Sequence, residues 1–163
     1  MGVAAIDVSK AFDRFCHNLL LAKLKAYGVQ EPALQLIRSY LRDRKQRVTC
    51  NDSSSNLLPL RCSVPQGSLL TPLLFNNFMN DMNETVTVSS LRLYADDTTQ
   101  YDVDNSPFLL QYTLNKGMES ISSWLDYNYL QASGDQTKGM ILENSPTFIT
   151  KHLMAPPSVS KNT

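Results

Sequence analysis

The sequence predicts an α+β protein in which helices cover one face of a largely antiparallel β-sheet. Two observations lead to this prediction. Apolar stretches of strand length alternate along the chain with longer stretches of helical periodicity. In addition, Tyr94–Asp97 has the composition of a hairpin tip and lies between β-prone residues on both sides. The expected order is one strand, two helices, two strands, a helix, two strands, a helix and two closing strands.

The first elements are predicted from short apolar runs and from the turn and proline residues between them. Val3–Val8 is apolar except at Asp7, and it predicts a buried strand that delivers one carboxylate at its C-terminal end. Ser9–Asp13 is expected to form a turn. Apolar residues within Leu19–Tyr27 mark one helical face. A second helix is expected to begin near Glu31–Pro32, because proline suits the first turn of a helix.

The middle of the chain contains two predicted strands and a predicted buried helix. Gln46–Cys50 and Leu58–Cys62 are expected to be strands, joined by a polar, serine-rich loop. Ser68 is a suitable N-cap for a helix from Leu69 to about Met82. The strongly apolar composition of this helix predicts that it is largely buried.

The last part of the chain contains one long helix and a closing pair of strands. Phe108–Asn128 has helical periodicity, and Tyr129–Ala132 and Gly139–Leu142 are expected to be strands. Residues 1–143 are therefore expected to form one domain. Residues 144–163 are rich in proline, serine and threonine without periodicity, so they are expected to be a disordered tail.

Composition limits the classes of protein to consider. No apolar run is long enough to span a membrane, and the N-terminus lacks the basic segment of a signal peptide. The three cysteines have no metal-ligand spacing, which favours reduced thiols in an intracellular protein, nuclear or cytoplasmic and not secreted. The net charge is zero, but the charges are unevenly placed. Residues 1–62 carry ten basic and five acidic residues, whereas residues 63–163 carry five basic and ten acidic residues. That asymmetry fits a basic surface for a polyanion beside an acidic metal site, and it also fits chance.

Three carboxylates are the candidate chemical centre. Asp7 ends a predicted strand, and Asp96 and Asp97 lie at the predicted hairpin tip. If these elements are neighbours in the sheet, the carboxylates converge and require cations, most simply two divalent ions held by oxygen ligands. Such a site suits in-line phosphoryl or nucleotidyl transfer. The alternative for Asp96 and Asp97 alone is an exposed acidic turn.

A basic segment, Arg38–Arg47, follows the second predicted helix. Its cations suit the negative end of the helix dipole, and they also suit contacts with nucleic-acid phosphates. Both interpretations remain open from the sequence.

Three motifs of this chain resemble motifs A, B and C of the reverse transcriptases of non-LTR (LINE-type, jockey-like) retrotransposons. They are Asp7–Asp13, Val64–Phe75 and Tyr94–Thr98, in the order and at the distances that the family has. The resemblance covers about residues 2 to 143. It implies the palm of a right-hand polymerase, and the chain is expected to be a palm fragment whose fingers and thumb are missing.

The resemblance also implies roles for individual residues. Asp7, Asp96 and Asp97 match the catalytic carboxylates that hold two Mg²⁺ ions, with Mn²⁺ as a substitute. The residues that match substrate-contacting positions are Val8, Phe12, Gln66, Gly67, Tyr94 and Lys138. Lys138 is included because Gln136 stands where the family usually has a lysine. From the residues themselves, Phe12 is alternatively a core residue and Tyr94 a packing residue of the hairpin.

The implied partners are an RNA template, a DNA primer and dNTPs, without a membrane. The implied activity is that of an RNA-directed DNA polymerase, and the sequence does not indicate an oligomeric state. Two other interpretations remain open. In the first, the chain is a non-catalytic nucleic-acid-binding remnant that uses Arg38–Arg47. In the second, it is a retrotransposon fragment without function.

Overall fold

The computed structural model describes residues 1–60, 62–65 and 67–142. The predicted tail at 144–163 therefore lies outside the described residues. The chain forms two compact units, which are described separately: the first comprises Met1–Ala11 and the chain from Asn80 onward, and the second comprises Phe12–Met79. The elements are β1 Gly2–Asp7, α1 Ala11–Arg14, α2 His17–Ala26, α3 Glu31–Leu41, β2 Lys45–Gln46, β3 Thr49–Cys50, β4 Ser53–Ser54, β5 Leu58–Pro59, α4 Leu70–Met79, α5 Met82–Thr85, β6 Ser90–Tyr94, β7 Asp97–Asp102, α6 Pro107–Tyr127 and β8 Lys138–Ile141.

A four-stranded antiparallel sheet, in the order β6-β7-β1-β8, forms the first unit together with α5 and α6. Ala4 and Ile6 of β1 are buried, and α6 packs on β1 and β7. The alternate residues Val3, Ala5 and Asp7 project from the other face, which we call the open face. This arrangement confirms the predicted α+β class.

The long helix α6 supplies the core that covers this sheet. It begins at Pro107, where the Ser106 Oγ accepts a hydrogen bond from the Leu109 amide at 3.4 Å. Its buried side chains repeat at helical spacing, and they are Leu110, Leu114, Met118, Ile121, Trp124 and Leu125. The predicted helix Phe108–Asn128 is therefore confirmed to within one residue at each end.

Helices α2, α3 and α4 pack together in the second unit. Their centre is aromatic: the ring centroids of Phe15 and Phe78 are 4.5 Å apart, and both side chains are fully buried. Lys23 is also buried, and its ammonium donates a hydrogen bond to the Phe78 carbonyl at 2.9 Å while lying over the Phe78 ring. None of the helices among the described residues is both long and apolar enough to cross a membrane.

Several predicted elements differ from those observed. The predicted turn Ser9–Asp13 contains the one-turn helix α1. The predicted helix Leu69–Met82 ends at Met79, since Asn80 and Asp81 favour a turn over a helix interior. Leu73 of that helix is 57% exposed, which makes its predicted burial wrong. The two strands expected within residues 46–62 are only two-residue pairs.

The predicted strand Tyr129–Ala132 is also wrong, because the end of α6 extends into it. Tyr129 has a φ of 60°, and its amide donates to the Asp126 carbonyl at 3.1 Å. The Leu130 amide donates to the Leu125 carbonyl at 2.8 Å, which completes a Schellman motif. Only Ala132 retains strand character, in an isolated antiparallel bridge with Val8.

Candidate metal centre

Asp7 and Asp97 stand directly opposite each other at one end of the sheet. Asp7 is the last residue of β1, Asp97 is the first residue of β7, and the antiparallel register pairs them. Directly opposite residues project from the same face of a sheet, with Cβ atoms about 4.5–5.5 Å apart. The two carboxylates therefore lie side by side on the open face.

Asp96 lies in the turn beside this pair. Tyr94 pairs with Asp97, so Ala95 and Asp96 form a two-residue hairpin loop, which confirms the predicted hairpin tip. Ala95 has a φ of 53°, a conformation that alanine rarely adopts but that two-residue hairpin loops favour at this position. The strand pairing on both sides holds the strained residue in place. The turn thus positions Asp96 next to the paired carboxylates, where it is half-buried.

These carboxylates form no ion pair within the part of the chain that the structure describes. No ion pair or hydrogen bond there involves the side-chain oxygens of Asp7, Asp96 or Asp97. The described residues also contain no preformed group of three acidic, histidine or cysteine side chains that could hold a metal ion. The donor set consists of carboxylate oxygens, which hard divalent ions prefer, so the residues fit such ions without forming a closed cage.

The backbone of Asp7 is held by the segment that follows α6. The Ser133 amide donates to the Asp7 carbonyl at 2.8 Å, and the Ser9 amide donates to the Gln131 carbonyl at 2.8 Å. The sequence carries no sign of this role of Ser133, since a backbone contact leaves no signal in residue type. Val8, a predicted substrate contact, is only 2% exposed, so its side chain is not accessible.

The open face also carries aromatic and basic side chains. Tyr94 pairs with Asp97 and is 83% exposed, so it does not pack within the hairpin. Lys138 pairs with Ala5 and is exposed on the same face. Arg92 lies two residues before Tyr94, and its guanidinium is 6.0 Å from the centroid of the Tyr101 ring. The period-2 alternation along β6 is the signal that could have placed Arg92 on the same face as Tyr94.

The predicted substrate residues Phe12 and Gly67 lie in the second unit, and Gln66 lies outside the described residues. Phe12 is half-buried, and its ring centroid is 4.5 Å from that of Phe75. This contact gives Phe12 a packing role in its own unit, and the rest of its side chain remains accessible.

Gly67 is exposed and has a φ of 83°, which other residues rarely adopt. A Cβ atom at Gly67 would meet nothing within 4 Å. Its backbone conformation, rather than crowding within this chain, therefore requires glycine. The turn around it is held by Thr71, whose hydroxyl donates to the Pro65 carbonyl at 2.5 Å, and by the Ser68 amide, which donates to the same carbonyl at 3.2 Å.

Comparison with protein families matches residues 2–152 to the family described as reverse transcriptase (RNA-dependent DNA polymerase). Curated relatives include the RNA-directed DNA polymerase from the mobile element jockey of Drosophila melanogaster, which is 30% identical over 131 residues. The protein of the same description from Drosophila funebris is 36% identical over 103 residues. These alignments cover 76% and 59% of this chain but only 14% and 11% of the relatives, so the chain spans a small part of their length.

Solved structures with the same fold include two telomerases. The apo telomerase of Candida tropicalis superposes with a TM-score of 0.69 at 15% identity, over 91% of this chain and 32% of that chain. The telomerase of Candida albicans, solved with a fragment of telomeric RNA, gives a TM-score of 0.67 at 12% identity, over 93% and 29%. At these identities the similarity concerns the fold, which is that of a polymerase palm.

Proposed function

Because the chain belongs to the reverse transcriptase (RNA-dependent DNA polymerase) family, we propose that it is the palm of an RNA-directed DNA polymerase. In this proposal it joins dNTPs to the 3′-hydroxyl of a DNA primer on an RNA template. The observation that supports this most is the direct pairing of Asp7 with Asp97 on the open face, beside the turn that carries Asp96.

Reverse transcriptases generally use divalent metal ions. Asp7, Asp96 and Asp97 are the residues that would hold two Mg²⁺ or Mn²⁺ ions in this chain. Such ions, when bound, activate the attacking oxygen and stabilise the leaving one. The pairing of β1 with β7 sets the spacing of Asp7 and Asp97, and the Ser133 amide fixes the backbone of Asp7.

The cationic and aromatic side chains of the open face have a separate role in this proposal. Lys138 and Arg92 place positive charge on the face that carries the carboxylates, which favours the approach of substrate phosphates. Tyr94 offers an exposed ring at the turn, where a base or sugar can pack against it. Phe12, Gly67 and Gln66 are the proposed nucleotide contacts of the second unit.

Mn²⁺ binding measured by electron paramagnetic resonance tests this function. The chain is mixed with an RNA template, a DNA primer and one dNTP at a time. Every dNTP binds some Mn²⁺ through its triphosphate, so the comparison is between dNTPs: we expect the dNTP that matches the template to give tighter Mn²⁺ binding than a mismatched dNTP. Template–primer affinity that persists without divalent ions, together with equal Mn²⁺ binding for matched and mismatched dNTPs, contradicts the polymerase proposal and favours a non-catalytic binder.

The non-catalytic alternative depends on the basic segment Arg38–Arg47. Arg38 and Arg42 are in exposed ion pairs, with Glu31 at 3.6 Å and Asp43 at 3.2 Å. Lys45 and Arg47 are exposed and form no ion pair with any residue in the described ranges. These two side chains are therefore free to contact phosphates, whether or not the chain is catalytic.

Replacing Lys45 and Arg47 with glutamine is expected to weaken binding to an RNA–DNA hybrid and to reduce its salt dependence. Each lost phosphate contact lowers the slope of log affinity against log salt by about one. Fluorescence anisotropy across a salt series measures this slope. Lys116→Gln is the matched control, because that exposed lysine already pairs with Glu119 at 2.8 Å. Equal slopes for the double variant and the control would show that the segment does not contact phosphates.

A further inference from the structure

Two of the three cysteines of the chain face each other in the second unit. Cys16 precedes α2, Cys62 precedes Val64, and the two residues form an isolated antiparallel β-bridge. Both side chains are half-buried, whereas Cys50 is exposed and belongs to a different strand pair. The sequence gives no indication of this pairing, because the two residues are far apart in the chain.

The hydrogen bonds around the bridge define its geometry. The Ser63 amide donates to the Phe15 carbonyl at 3.0 Å, so this bond joins the residue after Cys62 to the residue before Cys16. That pattern identifies the cysteines as a non-hydrogen-bonded pair, in which the Cα atoms are about 4.5 Å apart. Opposite residues also project from the same side of the backbone pair. Disulfides span Cα distances of roughly 4.4 to 6.8 Å, so the bridge meets this requirement without a movement of the backbone.

From this geometry we propose that Cys16 and Cys62 form a reversible disulfide when the protein meets a small-molecule disulfide such as oxidised glutathione. Two further hydrogen bonds hold the segment that directly follows Cys62. The His17 Nε2 donates to the Ser63 carbonyl at 2.6 Å, and the Val64 amide donates to the Phe12 carbonyl at 3.2 Å. These contacts hold the two thiols in register in the reduced protein.

Burial, and to a smaller extent the neighbouring Cys16, raises the pKa of the Cys62 thiol. A raised pKa leaves less thiolate near neutral pH, and thiolate is the species that attacks a disulfide. The raised pKa therefore slows the attack of Cys62 on a disulfide, and formation of the bond requires a disulfide oxidant.

The exchange proceeds in two balanced steps. One cysteine loses its proton and attacks a sulfur of the oxidant, whose S–S bond breaks and releases one thiolate. The second cysteine then loses its proton and attacks the protein sulfur of the mixed disulfide. This step forms the Cys16–Cys62 bond and expels the second thiolate. Two protein thiols are oxidised, the oxidant is reduced to two thiols, and the released thiolates take up the two protons.

The bond would close a loop that contains α2, α3 and the strand pairs β2–β5 and β3–β4. A crosslink over a loop of this length restricts the unfolded chain, and it is expected to raise Tm by about 10 °C. It would also tie the segment that leads to Pro65 and Gly67 to the start of α2.

Peptide mapping without reduction, after treatment of the folded chain with oxidised glutathione, tests the proposal. We expect a Cys16–Cys62 crosslinked peptide in the wild-type chain and in Cys50→Ser, the matched control, and none in Cys16→Ser. The Tm increase should appear in the first two proteins and disappear on addition of a reducing agent. If Cys16 and Cys62 remain free thiols while Cys50 is glutathionylated, or if crosslinks involve Cys50, the proposal is wrong. These readouts involve neither metal nor nucleic acid, so they are independent of the proposed function.

Discussion

Asp7→Asn is expected to stabilise the metal-free protein and to lower its affinity for Mn²⁺ by more than about 100-fold. The two effects share one cause, which is the position of Asp7 directly opposite Asp97. Like charges directly opposite on a sheet are destabilising by up to about 1 kcal/mol, so removing one of them raises the free energy of unfolding. The same substitution removes one carboxylate of the proposed metal centre.

Thermal unfolding and Mn²⁺ titration of the same variant measure both effects. The expected rise in Tm is about 3 °C at low salt, and it should shrink at high salt because exposed charges are screened. Asp135→Asn is the matched control, since Asp135 is an exposed carboxylate in a turn of the same unit. It should leave Mn²⁺ affinity unchanged.

A double-mutant cycle of Asp7→Asn with Asp97→Asn measures the interaction energy between the two carboxylates. Either single substitution should relieve the repulsion, and the second should then add little, because the opposing charge is already gone. Additive gains in Tm would show that the two carboxylates do not interact. If Asp7→Asn binds Mn²⁺ as tightly as the wild-type chain, the proposed metal centre is wrong.

The part of the site that depends on chain order could be predicted, and the part that depends on long-range pairing could not. Asp7 was expected at a strand end and Asp96 and Asp97 at a hairpin tip, and the structure confirms both placements. Which carboxylate faces Asp7 depends on the register of β1 against β7. Burial of Ala4 and Ile6 on the helix-covered face sets that register, because a shift by one residue would expose them.

Strong periodicity explains why α6 was predicted to within one residue. Its apolar face is repeated over five turns, and Ser106 and Pro107 mark its start. The end of the helix shows the limit of this reasoning. Tyr129 takes the left-handed position of the Schellman motif, where glycine is the usual residue, so its residue type predicted a strand instead.

Ala95 shows the same limit at the site itself. Alanine does not indicate a positive φ, and only the pairing of Tyr94 with Asp97 reveals the two-residue loop that requires it. Both Tyr129 and Ala95 adopt a strained backbone because hydrogen bonds on either side over-determine it. A single sequence carries no local signal for such positions.

Gly117→Ala is expected to destabilise the first unit strongly, although alanine is the better helix former. Gly117 lies within α6 against Gln100 of β7, whose side chain is completely buried. A Cβ atom at Gly117 would lie 2.8 Å from both the Gln100 Cδ and the Ser89 Oγ. The Gln100 side chain is completely buried and cannot swing into solvent, so the added methyl group must displace its amide.

The hydrogen bonds of that amide determine the size of the effect. The Gln100 Nε2 donates to the Ser89 Oγ at 2.8 Å and to the Leu114 carbonyl at 3.1 Å, while its Oε1 has no partner among the described residues. Overpacking costs about 1–3 kcal/mol, and each hydrogen bond lost by a buried group costs about as much. The gain in helix propensity is only about 1 kcal/mol. The net loss should be about 2–4 kcal/mol, or roughly 5–15 °C in Tm.

Thermal unfolding monitored by circular dichroism measures this loss, with Asn115→Ala as the matched control on the exposed side of the same helix. The control should change the free energy of unfolding by less than about 0.5 kcal/mol. Gln100→Ala in the Gly117→Ala background removes the clash. The double variant should therefore lose less free energy of unfolding than the sum of the losses of the two single variants. Strict additivity, or a Gly117→Ala chain as stable as the wild type, would show that α6 does not approach β7 this closely.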